Sequence, residues 1–271
     1  MKTRLIDIIL LLVLSGLCLM PGAGRAEGED ETAWKTVLKE KLFAGRGIEE
    51  DNQVVEITAP YRAEDSALVP IQITSKFPQS ADRYIKNITV VIDNNPVPFS
   101  ASFDFTPDSG RADIATRMRI NAYTHVRAIA ETNDGKLHMS KAFVKASGGC
   151  SAPIGADIEA AMARLGKMKF RFDSDKATLG QANPVQLLIS HPNITGLQMD
   201  QISRMIKPPH FVDAVKVSFN GKPVLTAKTD IAISADPNFR FYFTPDKAGE
   251  LKAEIKDNQG NHYSATQAVA P

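Results

Sequence analysis

The sequence predicts an all-β protein of two immunoglobulin-like β-sandwich domains, and three observations carry that prediction. Short apolar runs recur between turn residues at intervals of about ten residues along most of the chain. The 17 glycines and 16 prolines fall largely between those runs, where turns need them. Two distant stretches, Val126-Arg-Ala-Ile-Ala-Glu-Thr-Asn-Asp-Gly135 and Leu251-Lys-Ala-Glu-Ile-Lys-Asp-Asn-Gln-Gly260, also align without a gap.

Taken in order, the chain opens with Lys2 and Arg4 ahead of an apolar run from Ile8 to Val13 that continues to Met20. Gly24-Arg25-Ala26 then places small residues where a signal peptidase needs them, so residues 1–26 read as a secretory signal peptide cut after Ala26. The apolar run, about 13 residues, is short of the roughly 20 that span a bilayer. After cleavage the protein is expected to be exported, with no membrane attachment.

A short helix is expected around Trp34 to Phe43, with Trp34 and Leu38 on its inner face. Strands are predicted at Val54–Ala59, Leu68–Ser75, Ile85–Asp93, Val97–Phe105, Asp113–Ile120, His125–Glu131 and Leu137–Lys145. A helix follows over Ala156–Leu165, with Asp157 as its cap and Gly166 at its end. The second set of strands is predicted at Lys169–Asp173, Val185–Ser190, Val212–Phe219, Pro223–Lys228, Arg240–Phe243, Leu251–Lys256 and His262–Val269. Asn220-Gly221 marks a hairpin, because that pair supplies the positive φ angles of a two-residue turn. The internal repeat extends upstream: Asn95-Pro96-Val97 matches Lys222-Pro223-Val224 at nearly the same distance from the Val126 and Leu251 stretches. The division is therefore signal peptide 1–26, first module 27–147, cysteine loop and linker helix 148–167, and second module 168–271.

Charge is balanced, with 32 Lys and Arg against 31 Asp and Glu, so nothing favours nucleic acid as a partner. Of two cysteines, Cys18 leaves with the signal peptide, and Cys150 remains unpaired in an exported chain. Its setting is Ser147-Gly148-Gly149-Cys150-Ser151-Ala152-Pro153, which has no apolar periodicity to carry it into a core. The expectation is an exposed thiol on a flexible neck of Gly148 and Gly149. Such a thiol, as thiolate, is a nucleophile toward disulfides and oxidised sulfur. No base is evident beside it, since the nearest histidines in sequence, His125 and His138, lie in predicted strands.

At this point the chain resembles the SoxYZ sulfur-compound carrier family, in particular the single-chain fused forms encoded alongside quinoprotein dehydrogenases. Residues of about 30 to 150, ending in Gly148-Gly149-Cys150, are similar to the Y subunit. Residues of about 168 to 269 are similar to the Z subunit through His191-Pro192, Thr195-Gly196, Pro209-His210-Phe211 and Asn220-Gly221-Lys222-Pro223-Val224. The resemblance implies two modules packed within one chain and a carrier without catalysis of its own. It makes Cys150 the covalent attachment point for thiosulfate-like intermediates and Gly148 and Gly149 the flexible arm. Its implied partners are periplasmic: a haem-containing sulfur oxidase, a sulfate-releasing hydrolase and a molybdenum sulfur dehydrogenase, or a quinoprotein dehydrogenase and its cytochrome. The family arm reads Gly-Gly-Cys-Gly-Gly near a free C-terminus. Here Ser151-Ala152 replaces the second glycine pair, Pro153 follows, and 121 residues come after Cys150, so the arm becomes a loop fastened at both ends.

Two other readings stand beside the carrier. One is a non-covalent accessory module for a PQQ-dependent alcohol dehydrogenase system, with the thiol incidental. The other is a disulfide through Cys150 between two chains. The five histidines, His125, His138, His191, His210 and His262, show no ligand spacing, and neither metal nor cofactor is expected.

Overall fold

The computed structural model describes residues 30–153, 158–174, 176–200 and 203–271. The expected signal segment and the Asp157 cap lie outside the described residues. The first half contains α1 (Trp34–Leu38, a π-helical turn), α2 (Lys39–Phe43), β1 (Ile48–Glu50), β2 (Val55–Thr58), β3 (Val69–Ser75), β4 (Ile85–Ile92), β5 (Phe99–Phe105), β6 (Ile114–Met118), β7 (Thr124–Thr132) and β8 (Leu137–Val144). After α3 (Ile158–Ala163) come β9 (Met168–Phe172), β10 (Asn183–Ile189), β11 (Val212–Phe219), β12 (Lys222–Thr229), β13 (Asn238–Phe243), β14 (Gly249–Asp257) and β15 (His262–Val269).

The strands form where side chains alternate between core and solvent, as a half-buried sheet requires. In β3, Val69, Ile71 and Ile73 are buried while Pro70 and Gln72 are exposed. In β14, Leu251, Ala253 and Ile255 point inward and Glu254 and Lys256 do not share that burial. Every predicted strand is present, with ends shifted by a few residues. β1 was not foreseen. It pairs in parallel with β8, Ile48 opposite Leu137, and its Glu49 and Glu50 are exposed at the sheet edge, so three residues offered no alternation to read.

The strands assemble into two sheets, ordered β1-β8-β7-β4-β5-β12-β11-β14-β15 and β2-β3-β6-β13-β10-β9. This order makes the internal repeat visible. Strands β8, β7, β4 and β5 are mirrored by β15, β14, β11 and β12 in the larger sheet, and β3 and β6 by β10 and β13 in the smaller. The halves therefore join edge to edge. Strand β5 runs antiparallel to β12 from Phe105↔Leu225 to Ala101↔Thr229, and β6 meets β13 at Ala115↔Arg240. Joining edges satisfies backbone groups that two separate sandwiches would leave as open edge strands. One apolar core fills the space between the sheets across both halves. At its centre, Phe103 of the first half packs edge-on against Phe239 of the second, with ring centroids 6.0 Å apart.

The N-terminal helices cover the outer face of the larger sheet. Trp34, Leu38 and Phe43 pack on Val91, Ile129, Leu137 and Met139, which places Trp34 and Leu38 inward as their spacing predicts. A buried ion pair fixes this cover. Arg127 donates through Nε and Nη2 to Asp93 at 2.8 and 2.7 Å, Nη2 also reaches Glu31 at 2.9 Å, and its guanidinium lies 4.5 Å from the centre of the Trp34 ring. Among the described residues no helix is long and apolar enough to cross a membrane.

Candidate functional site at the cysteine loop

Cys150 sits just past β8, where the chain leaves the first half, and the loop folds back onto the protein. Gly148 adopts φ +75°, and its N–H donates to Asn121 O at 2.9 Å. The next N–H, of Gly149, donates to Ile120 O at 3.1 Å, and Ser151 N–H closes the turn on Gly148 O at 3.2 Å. Gly149 is pressed against backbone: a Cβ there would stand 2.1 Å from Ser66 O and 2.6 Å from Ile120 O. Only glycine permits that approach.

The second half closes the loop from the other side. Thr195 donates its hydroxyl to Cys150 O at 2.7 Å, and Gln198 donates Nε2 to Ala152 O at 2.9 Å. The two clamping residues hold each other, because Thr195 N–H donates to Gln198 Oε1 at 3.0 Å. Beneath the loop lies Arg119, just past β6, whose Nη1 and Nη2 reach Gly149 O and Asn193 O at 3.4 Å each.

These contacts correct the expectation of an uncovered thiol on a flexible neck. Cys150 is 0% exposed, and Gly148 and Gly149 make a fixed turn. The physical reason is that burial here uses no apolar periodicity. Gly148 supplies a positive φ, Gly149 supplies close contact, and the carbonyls of residues 149, 150 and 152 are taken by polar side chains. Burial pushes the Cys150 thiol up to about 11, against the lowering influence of the Arg119 charge. In this conformation the sulfur is a neutral thiol. A disulfide to a second chain is likewise sterically closed to it.

The structure also brings together residues whose spacing gave no hint of it. His191, His210 and Asp257 offer ligand atoms within 4.8 Å of one another in the interior of the second half. His210 Nε2 is 2.9 Å and His191 Nε2 3.8 Å from Asp257 Oδ2. The Asn193 N–H donates to His191 Nδ1 at 3.1 Å, which makes that nitrogen the acceptor and leaves the ring proton on Nε2, a buried nitrogen with no hydrogen-bond partner, 3.8 Å from the carboxylate. A metal-ligating histidine instead donates from its second nitrogen, so the donor set reads as a brace. Burial, with the neighbouring His210, lowers His191 to about 4. Burial raises the Asp257 carboxyl, but hydrogen bonds from Asn261 and His210 outweigh it and hold it at about 2.

The brace matters to the cysteine. It anchors Asn193, whose side chain accepts from Val212 N–H at 3.2 Å and donates to Ile233 O at 3.2 Å, and Asn193 leads two residues on to Thr195. His191, Thr195 and His210 were thus visible as parts of family-like dipeptides, while their joint role was not. Asp257, 47 residues beyond His210, carried no local signal. Among the other histidines, His125 packs on Phe143, and the largely buried His138 faces Asp51 and Glu49 at 3.2 and 3.6 Å, a second group whose ligand atoms lie within 4.8 Å of one another, with Glu49 exposed.

Comparison with known proteins gives two family matches. Residues 39–150 match the family described as sulfur oxidation protein SoxY, and residues 170–268 match sulphur oxidation protein SoxZ. The first match ends on Cys150. No curated protein matches. Among solved structures, the sulfur carrier protein SoxY from Chlorobium limicola f thiosulfatophilum is 27% identical, over 40% of this chain and 87% of that one, with a TM-score of 0.34. A superoxide reductase (neelaredoxin) from Ignicoccus hospitalis, E23A, is 19% identical over 43% and 89%, with a TM-score of 0.29. A β-glycosidase from Bacteroides vulgatus is 10% identical over 81% and 25%, with a TM-score of 0.24. At such TM-scores these structural likenesses carry no weight for function.

Proposed function

We propose, for a chain whose two halves belong to the SoxY and SoxZ families of sulfur oxidation proteins, that it works as a periplasmic carrier holding sulfur intermediates covalently on Cys150. The observation that supports this most is the end of the SoxY match on Cys150, together with a loop fastened by side-chain contacts from the SoxZ half. A carrier must protect its cargo between encounters and expose it during them. The closed loop supplies protection, since a buried neutral thiol is a poor nucleophile. Exposure requires release of the Thr195 and Gln198 contacts, which are few and polar.

In this reading residues 27–147 present the cysteine, 148–167 form the cysteine loop and linker helix, and 168–271 form the clamp. Loading and unloading belong to partner enzymes of sulfur oxidation or to a quinoprotein dehydrogenase and its cytochrome. Leu197, Met205 and Ile206 stand exposed in the segment around the clamp, and exposed apolar side chains of this kind offer a partner a place to dock.

The burial of Cys150 also favours a second reading, in which the thiol is a packed interior group and the protein is a non-covalent accessory module of a PQQ-dependent alcohol dehydrogenase system. A Cys150→Ser strain separates the two. Loss of growth on the sulfur compound or alcohol, with the variant folded and present at normal level, supports the carrier. Full growth supports the accessory module.

A further inference from the structure

A buried cation without a carboxylate partner lies under the cysteine loop. Arg119 is 4% exposed, and its two hydrogen bonds, to Gly149 O and Asn193 O, are both at 3.4 Å, near the outer limit for such a bond. Its Nε has no partner at all. Asp65 is the carboxylate whose charge acts on it, without forming an ion pair, and Cys150, a neutral thiol here, would act on it only as the thiolate. Arg127 shows what a satisfied buried arginine looks like in this protein, with a bidentate grip on Asp93 and a further bond to Glu31. A guanidinium carries five donors, and burying it without an anion is costly. Arg119 therefore holds an unused donor directly beside the cysteine loop.

We propose that Arg119 is the anion receptor of the cysteine site, recognising sulfur oxyanions of the thiosulfate and polythionate class as they exchange at, or remain attached to, Cys150. The idea rests on the carrier reading for its biological meaning but not for its chemistry. A thiosulfonate adduct ends in a sulfonate whose oxygens accept hydrogen bonds in the planar geometry a guanidinium offers. The attached anion supplies the counter-charge that Arg119 lacks in the thiol state.

Tetrathionate tests this with a balanced reaction. The Cys150 thiolate attacks one inner sulfur of S4O6²⁻, the bond between the inner sulfurs breaks, and thiosulfate leaves with the electron pair. Cys–SH and S4O6²⁻ thus become Cys–S–S–SO3⁻, S2O3²⁻ and a proton released to solvent, with tetrathionate itself as the oxidant. Rates are measured on the full chain for tetrathionate and for neutral iodoacetamide, in wild type, Arg119→Gln and Arg119→Lys. Loop opening and thiol ionisation affect both reagents alike, so the ratio of the two rates isolates anion recognition. The ratio should fall about tenfold in Arg119→Gln, the effect of about 1.4 kcal/mol of lost charge interaction, and stay within about threefold of wild type in Arg119→Lys. An unchanged ratio in a folded Arg119→Gln protein overturns the proposal. Should that variant not fold, wild type decides: sulfate should slow iodoacetamide alkylation of Cys150 more than chloride at equal ionic strength, and equal rates overturn it. Failure of the carrier reading would show separately, as a native protein without adducts whose rate ratio still depends on Arg119.

Discussion

The hydroxyl of Thr195 donates to the carbonyl oxygen of Cys150 at 2.7 Å, so the SoxZ half holds the cysteine of the SoxY half closed. With Gln198 on Ala152 O at 2.9 Å it forms a two-point clamp. A buried hydrogen bond of this kind contributes on the order of 1 kcal/mol. Thr195→Val and Gln198→Ala should each raise the alkylation rate of Cys150 about fivefold, and the double variant more. Stopped-flow labelling checks this. Unchanged rates would mean that the loop opens by some other motion.

The two glycines should behave differently. At Gly149 a Cβ meets the carbonyl oxygens of Ser66 and Ile120, so Gly149→Ala must displace backbone, with a loss of about 1–3 kcal/mol and a more reactive Cys150. At Gly148 a Cβ meets nothing, and the penalty of Gly148→Ala is the positive φ alone, about 1 kcal/mol. Urea titration of both variants ranks them. A flexible neck predicts no difference.

The thiol sets a pH dependence at the alkaline end. Burial raises Cys150 to about 11 from an ordinary value of 9.0, against the opposing charge of Arg119. A raised acid favours the folded state while the group is protonated in both states, below about 9. That contribution is lost as pH rises through about 11. Alkylation of the folded protein should therefore have its midpoint near 11, and in denaturant near 9. Coincident midpoints would show that the loop is open at equilibrium.

Acid should first loosen the N-terminal cover. Burial raises Glu31, but hydrogen bonds from Arg127 and Lys141 outweigh it and hold its carboxyl at about 2. A lowered carboxyl stabilises the fold above its ordinary value of 4.5, and the contribution is lost as pH falls toward 2. Trp34, the single tryptophan of the chain, reports the change through its fluorescence. In Glu31→Gln the acid transition of that signal should flatten, and an identical transition would remove Glu31 from the account.

The fold was legible because alternation and turn residues act locally. Asn220 and Gly221 take the positive φ angles their hairpin demands, and the repeat of Val126–Gly135 at Leu251–Gly260 reappears as β7 and β14. Edge-to-edge joining of β5 to β12 was not legible, since either edge reads alike as a strand. The site was half legible. Cys150 could be singled out as an odd thiol, but its cover comes from Ser66, Ile120, Thr195 and Gln198, residues remote in sequence whose contacts are with backbone. Polar closure of that kind leaves no hydrophobic pattern. Arg119 was invisible for the same reason, because a lone arginine at the end of a strand reads as a solvated one.

The central claim is that Cys150 carries sulfur. Intact mass spectrometry of the protein taken from its native cells, without reductant and while they metabolise sulfur compounds or alcohols, is the measurement that decides it. A fraction of molecules should bear a sulfur adduct that reductant removes and that maps to Cys150. Uniformly unmodified Cys150 under those conditions would contradict it.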